Sequence, residues 1–161
     1  MTARGSVLSI HIALAGCAPV VSVREIQAIA GKGVEGDRYY LKTGTYSKTT
    51  GTGREVTLIE IEAIEALGRE YGIEIDAAQA RRNIVTRGVA LNHFIDREFA
   101  VGEAMFRGTR LCEPCARLEK LTVKGVMRGL IHRGDLRADI VRGGLIRVGD
   151  TISTGSEALS P

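Results

Sequence analysis

The pattern that most constrains this chain is a succession of short β-favouring runs cut apart by glycine. Twenty of the 161 residues are glycine and only three are proline, a balance that points to tight turns and close backbone approaches rather than a disordered linker. Leu8, Ile10, Ile12 and Leu14 alternate as on a half-buried strand. Residues 21–30 read as a second strand ending in a turn at Gly31-Lys-Gly33, and 55–60 as a short third. Residues 83–86 look extended, and 99–112 reads as one or two strands. Residues 137–153 read as a hairpin turning at Gly143-Gly144. Helical spacing is brief. Ile61, Ile64, Leu67 and Tyr71 recur at it, with Gly72 where a C-cap belongs. Asp76 suits the N-cap of an Ala-rich turn, and two further short helices are expected around Leu118 and Leu121 and around Val126, Met127, Leu130 and Ile131. Strands outnumber helices and do not alternate with them, so the expected fold is mainly β. It is a twisted, largely antiparallel sheet closing into a barrel with a few peripheral helices. Neither an internal repeat nor a boundary divides it, and the expectation is one domain over 1–161 with its core in about 7–153.

Composition narrows the function classes. Aromatics make up 4% of the chain and tryptophan is absent, which leaves little for base stacking. A net charge of +3 is too small and dispersed for a nucleic-acid partner and slightly favours small anions. Three cysteines, an odd number, do not make a secreted disulfide framework. No apolar run has the length of a membrane span. Leu14-Ala15-Gly16-Cys17 looks like a lipoprotein cleavage box, but the apolar stretch before it is short and carries Ser9 and His11. A cytoplasmic protein with reduced thiols and no membrane partner is expected.

The residues richest in chemistry are Cys112-Glu-Pro-Cys115. Three readings are open: half of a zinc site, which needs two more ligands; a thioredoxin-like dithiol, for which the β-rich surroundings are wrong; and two half-buried cysteines acting as small hydrophobes. Arg107, Arg110 and Arg117 stand close in sequence, and positive charge favours the thiolate that ligates soft metals or attacks sulfur. Arg81-Arg82-Asn83 is a second polar cluster, suited to a planar or phosphate-bearing anion, or else to salt bridges with the helix over 60–70. In Gly36-Asp37-Arg38 the aspartate reads as a turn device, leaving Arg38 for a ligand. His132 is a lone histidine able to donate a proton near neutral pH. Residues 42–53, rich in Gly, Thr and Ser, read as a mobile loop that orders as a lid over an anionic ligand.

Several of these segments together resemble the MOSC family, the module named after the C-terminal domain of molybdenum cofactor sulfurases. The carriers are Gly33-Val-Glu-Gly-Asp-Arg-Tyr39, Arg81-Arg-Asn-Ile-Val-Thr-Arg-Gly88, Val101-Gly102, Phe106-Arg-Gly-Thr-Arg-Leu-Cys-Glu-Pro-Cys115 and Arg142-Gly-Gly-Leu-Ile-Arg-Val-Gly-Asp150, in the family's order. The resemblance implies a pyruvate-kinase-barrel-like fold. It makes Cys115, not Cys112, both the catalytic thiolate and the ligand of the metal in a molybdenum cofactor (molybdopterin). Arg81 and Asn83 would hold the pterin phosphate, and Arg38 and Arg110 are further cofactor-binding candidates. Some relatives reduce N-hydroxylated compounds, and others are described as sulfur carriers. Larger relatives carry an additional N-terminal barrel region or an iron–sulfur domain, neither of whose patterns occurs here, so electrons are expected from a redox partner. Three functions stay open. One is a molybdenum-dependent oxidoreductase acting on a small-molecule substrate. Another is a sulfur carrier persulfidated on Cys115 by a donor protein. The third is a non-catalytic ligand-binding barrel.

Overall fold

The computed structural model describes residues 4–43, 53–114 and 116–154, apart from the side chains of Ala116 and Arg117. The first half contains β1 (Arg4–Ile12), β2 (Val21–Val23), β3 (Glu25–Ile29), β4 (Gly33–Val34), α1 (Arg38–Leu41), β5 (Val56–Glu60), α2 (Ile61–Tyr71) and β6 (Ile84–Arg87). The second half adds β7 (Glu98–Val101), β8 (Ala104–Leu111), α3 (Ala116–Leu121), α4 (Val126–Leu130), β9 (Asp135–Arg142), β10 (Gly144–Arg147) and β11 (Thr151–Ser153). Among the described residues no helix is long and apolar enough to cross a membrane.

Seven strands close a barrel in the order β11-β7-β8-β9-β5-β6-β1, with β1 returning to β11. Closure leaves the barrel without an open edge. Among the described strands β5 and β6 are the one parallel pair, and the connection between them accordingly carries a helix, α2. β2 prolongs the sheet beyond β1, and β10, β3 and β4 form a small separate sheet. Val7, Ile10, Leu58, Ile84, Phe99, Phe106, Leu136 and Ile152 fill the interior. There Phe99 stands edge-on to Phe106, with ring centroids 5.8 Å apart. A second core lies outside the barrel, where Ile59 and Val85 on the outer faces of β5 and β6 meet Ile64 and Leu67 of α2 and Leu130 of α4.

The mainly β barrel agrees with the sequence, but three local expectations need correction. In β1 a register shift between Val7 and Ser9 breaks the simple alternation, as a bulge does. Val7 and Ile10 face inward, while Leu8 is 38% and Leu14 66% exposed. Residues 21–30 form two strands in different sheets, β2 against β1 and β3 against β10. The hairpin over 137–153 does not form. β9 pairs with β8 and β5, and the chain then leaves the barrel to pair β10 with β3. Gly143 and Gly144 serve close passage rather than a turn. A Cβ at Gly143 would lie 2.5 Å from Ala28 O, and one at Gly144 2.6 Å from Glu103 O.

α2 ends as expected, at Gly72 in the left-handed region with φ +66°. Asp76 and Gln79 cap the next turn reciprocally: Asp76 Oδ1 accepts from Gln79 N, and Gln79 Oε1 accepts from Asp76 N.

Candidate functional site

The candidate site lies on the outer wall of the barrel, where β5, β9 and β8 run side by side. Leu136, Ala138 and Ile140 of β9 point into the core, so strand alternation turns Asp135, Arg137 and Asp139 outward. Pairing register sets Arg137 between Thr57 of β5 and Arg110 of β8. One step along, Cys112 N donates to Asp135 O at 2.7 Å, which extends the ladder to the first cysteine.

Arg82 reaches this wall from the segment before β6. Its Nε donates to Asp135 Oδ1 at 2.7 Å, and its Nη2 to Cys112 O at 3.3 Å. Asp135 is buried, and its Oδ2 has no described partner. Burial raises the Asp135 pKa against the pull of Arg82 and Arg137. Burial also opposes the Arg82 charge, but Asp135 more than restores it, so the guanidinium stays protonated.

Arg137 Nη1 donates to Tyr39 OH and to Gly53 O, both at 3.4 Å, while the Arg38 guanidinium sits 5.0 Å from the Tyr39 ring centre. Gly53 N donates to Asp139 Oδ1 at 2.7 Å. Gly53, with φ +74°, passes so close that a Cβ there would lie 2.5 Å from Thr109 Oγ1 and 3.2 Å from Arg110 Nη1. Only glycine fits that approach without displacing its neighbours.

The expected residues fall into two groups, joined through Tyr39. Arg38, Arg81 and Asn83 brace the wall. Arg38 Nη1 donates to Asp37 Oδ1 and its Nη2 to Arg81 O. Asp37 is the turn device expected, accepting from Tyr39 N and Ala13 N. Arg81 Nη2 donates to Gly16 O. Asn83 is fully buried; its Oδ1 accepts from Thr57 N and Oγ1, and its Nδ2 donates to His11 O.

Arg110 belongs to the second group, with Arg137, Arg82 and Cys112. Cys112 is 1% exposed. Burial raises its pKa against the pull of Arg82, Arg137 and Arg110, so here desolvation outweighs the charge effect and the thiol stays protonated. Cys115 itself lies outside the described residues, as do residues 44–52 of the expected lid. Arg82 makes its ion pair with Asp135 rather than with α2. His132 pairs through Nδ1 with Glu113 Oε2 at 2.7 Å, and its backbone N donates to Glu113 Oε1. It thereby ties down the residue that follows Cys112. Among the described residues no cluster of three or more His, Cys, Asp or Glu side chains is placed to hold a metal ion.

Sequence reasoning did not single out Arg137, Asp135 or Tyr39, which the fold brings together with Arg110 and Arg82. The alternating Asp135, Arg137 and Asp139 were a legible signal of a polar strand face, but only the register opposite Arg110 shows what that face meets.

Known proteins can be set beside this geometry. The YUAD protein from Bacillus subtilis superposes with a TM-score of 0.77 at 14% identity, over 95% of this chain and 96% of that one. YiiM from Geobacillus stearothermophilus gives 0.72 at 12% identity, over 94% and 75%. YiiM from Escherichia coli gives 0.66 at 15%, over 97% and 70%. At such identities the likeness speaks for the fold. No curated protein sequence matches the chain. The family model of the MOSC domain matches residues 45–153, more than half of the chain, from the segment before β5 through β11. The chain belongs to the MOSC domain family.

Proposed function

We propose that this MOSC domain binds the molybdenum cofactor through the Cys115 thiolate and serves as an oxidoreductase for N-hydroxylated small molecules, with electrons from a partner protein. The observation that carries this reading is the gathering of Arg82, Arg110 and Arg137 on one wall at Cys112, three residues before Cys115: Arg82 Nη2 donates to Cys112 O, and Arg110 stands opposite Arg137 on the strand that leads to it. The cofactor is an anionic pterin phosphate, and the donor set suits it: guanidiniums offer planar forks to phosphate oxygens. Asp135 Oδ2 and Arg54 Nε, both buried without a described partner, are polar atoms of the kind that a polar ligand or its waters satisfy. When bound, the cofactor supplies a two-electron redox centre and a place for the leaving oxygen.

The chain's own residues have simpler tasks. Arg110 and Arg137 hold negative charge, Asp135 keeps Arg82 in place, and His132 holds Glu113, the residue after Cys112. The Tyr39 hydroxyl accepts from Arg137, which leaves its own proton for an acceptor in the site.

Elemental analysis of the chain purified from a cofactor-producing host tests the proposal. Stoichiometric molybdenum, lost in Cys115→Ser and retained in Cys112→Ser, is the expected result. A persulfide on Cys115 without metal would replace the oxidoreductase reading with sulfur carriage. Equal molybdenum loss in both variants, if both remain folded, would point to a dithiol or zinc pair.

A further inference from the structure

Arg54, Arg110 and Arg137 come from three different stretches of chain and meet around one glycine. A Cβ at Gly53 would lie 3.2 Å from both Arg110 Nη1 and Arg137 Cβ, the Gly53 carbonyl accepts from Arg137 Nη1, and Arg54 follows it directly. The Arg54 Nε is buried and has no partner among the described residues. Asp139 and Glu55 are nearby carboxylates, with Asp139 Oδ1 engaged by Gly53 N and Glu55 Oε1 by Gly31 N and Ile140 N. Partial burial, then Arg137 and Arg54, lower the Arg110 pKa, as expected for like charges held together. Three guanidiniums held this close repel one another, and the buried Arg54 Nε is left without a hydrogen bond among the described residues. A ligand of opposite charge supplies one.

We infer that Gly53, Arg54, Arg110 and Arg137 form a binding site for a tetrahedral oxyanion of the phosphate-monoester class. Three guanidiniums brought together from separate stretches of chain match a dianion with several acceptor oxygens better than a planar carboxylate, which one fork already satisfies. Glycine lets the oxyanion and the arginines approach the backbone closely, as phosphate-binding loops require. The inference rests on the proposed function in taking this wall as the ligand's side, and it assigns the phosphate a place there. It moves that place away from Arg81 and Asn83, whose side chains bond Gly16 O, and Thr57 with His11 O, respectively.

The test uses the full chain produced in a host unable to make the cofactor, titrated calorimetrically with inorganic phosphate, with a soluble phosphomonoester and with acetate at one ionic strength. Phosphate should bind saturably and more tightly than acetate. Arg110→Gln, at an exposed position, should weaken it about tenfold or more, the loss of one charge-assisted hydrogen bond. Arg137→Gln should do the same. Arg107→Gln, on the same strand but facing Asp96, should leave it unchanged. A phosphomonoester bound more tightly than phosphate identifies the phosphate as part of a larger ligand; equal affinity identifies free phosphate.

Phosphate no tighter than acetate, or equally tight in Arg110→Gln, would overturn the inference. Molybdenum content of chain from a competent host is scored separately. Phosphate binding without molybdenum would retain this site and refute the cofactor, and molybdenum without phosphate binding would do the reverse.

Discussion

Replacing Asn83 by alanine separates a wall residue from a ligand-holding one. In the structure its amide is fully buried and spans three strands, accepting from Thr57 N at 3.0 Å on β5 and donating to His11 O at 3.1 Å on β1, just ahead of β6. Alanine leaves a buried N–H and a buried carbonyl without these partners, at about 1–3 kcal/mol each. Some of this is offset because the polar amide no longer has to be desolvated. A net loss of about 3 kcal/mol is expected, or roughly 6–12 °C in Tm for a chain of this length. Urea unfolding and calorimetry on the metal-free chain measure it, and the loss should be the same with and without phosphate present. Stability within about 0.5 kcal/mol of the parent, combined with lost cofactor or phosphate binding, would refute the reasoning and make Asn83 a ligand group.

Three further predictions follow from the same wall. Asp135→Ala strands the Arg82 guanidinium, whose side chain is 11% exposed, and should cost about 3–5 kcal/mol; a double variant Arg82→Met/Asp135→Leu no more stable than Asp135→Ala would contradict this. Gly53→Ala combines φ +74° with a 2.5 Å approach to Thr109 Oγ1. It should lose about 1–2 kcal/mol and weaken phosphate binding, and unchanged affinity would show that the cradle is not needed. Burial holds His11 below its ordinary 6.5, although Asp76 pulls the other way. The folded state therefore binds fewer protons than the unfolded chain just below that value. This contribution to stability is complete above pH 6.5 and is lost as the pH falls through and below it. The fall in Tm from about pH 7.5 to 5.5 should be shallower in His11→Gln, and an identical slope would remove His11 from the account.

Much of the fold was legible because local rules agree with the tertiary result. The 3.6-residue spacing of Ile64 and Leu67 with Gly72 behind them marked α2, since an amphipathic helix needs only one apolar stripe and a stop. The alternating run at β5 marked a strand. Gly143-Gly144 misled because a two-glycine turn and two glycines passing close to a neighbouring backbone look alike in one dimension. The bulge in β1 misled because one extra residue moves every later side chain to the other face.

The order of motifs around Asp37-Arg38, Arg81-Arg82-Asn83 and Cys112-Glu-Pro-Cys115 was enough to suggest the family. Sequence alone determined which residue types are present: guanidiniums, thiols and a glycine-rich approach. It did not determine which of them meet. Arg110 and Arg137 are adjacent through the register of β8 and β9, and Arg54 joins them through Gly53. Whether an arginine stands among other guanidiniums or braces a carbonyl, as Arg110 and Arg38 do differently, depends on distances between strands far apart in the chain. Those distances are set by barrel closure and by the burial that accompanies it, and no local spacing encodes them.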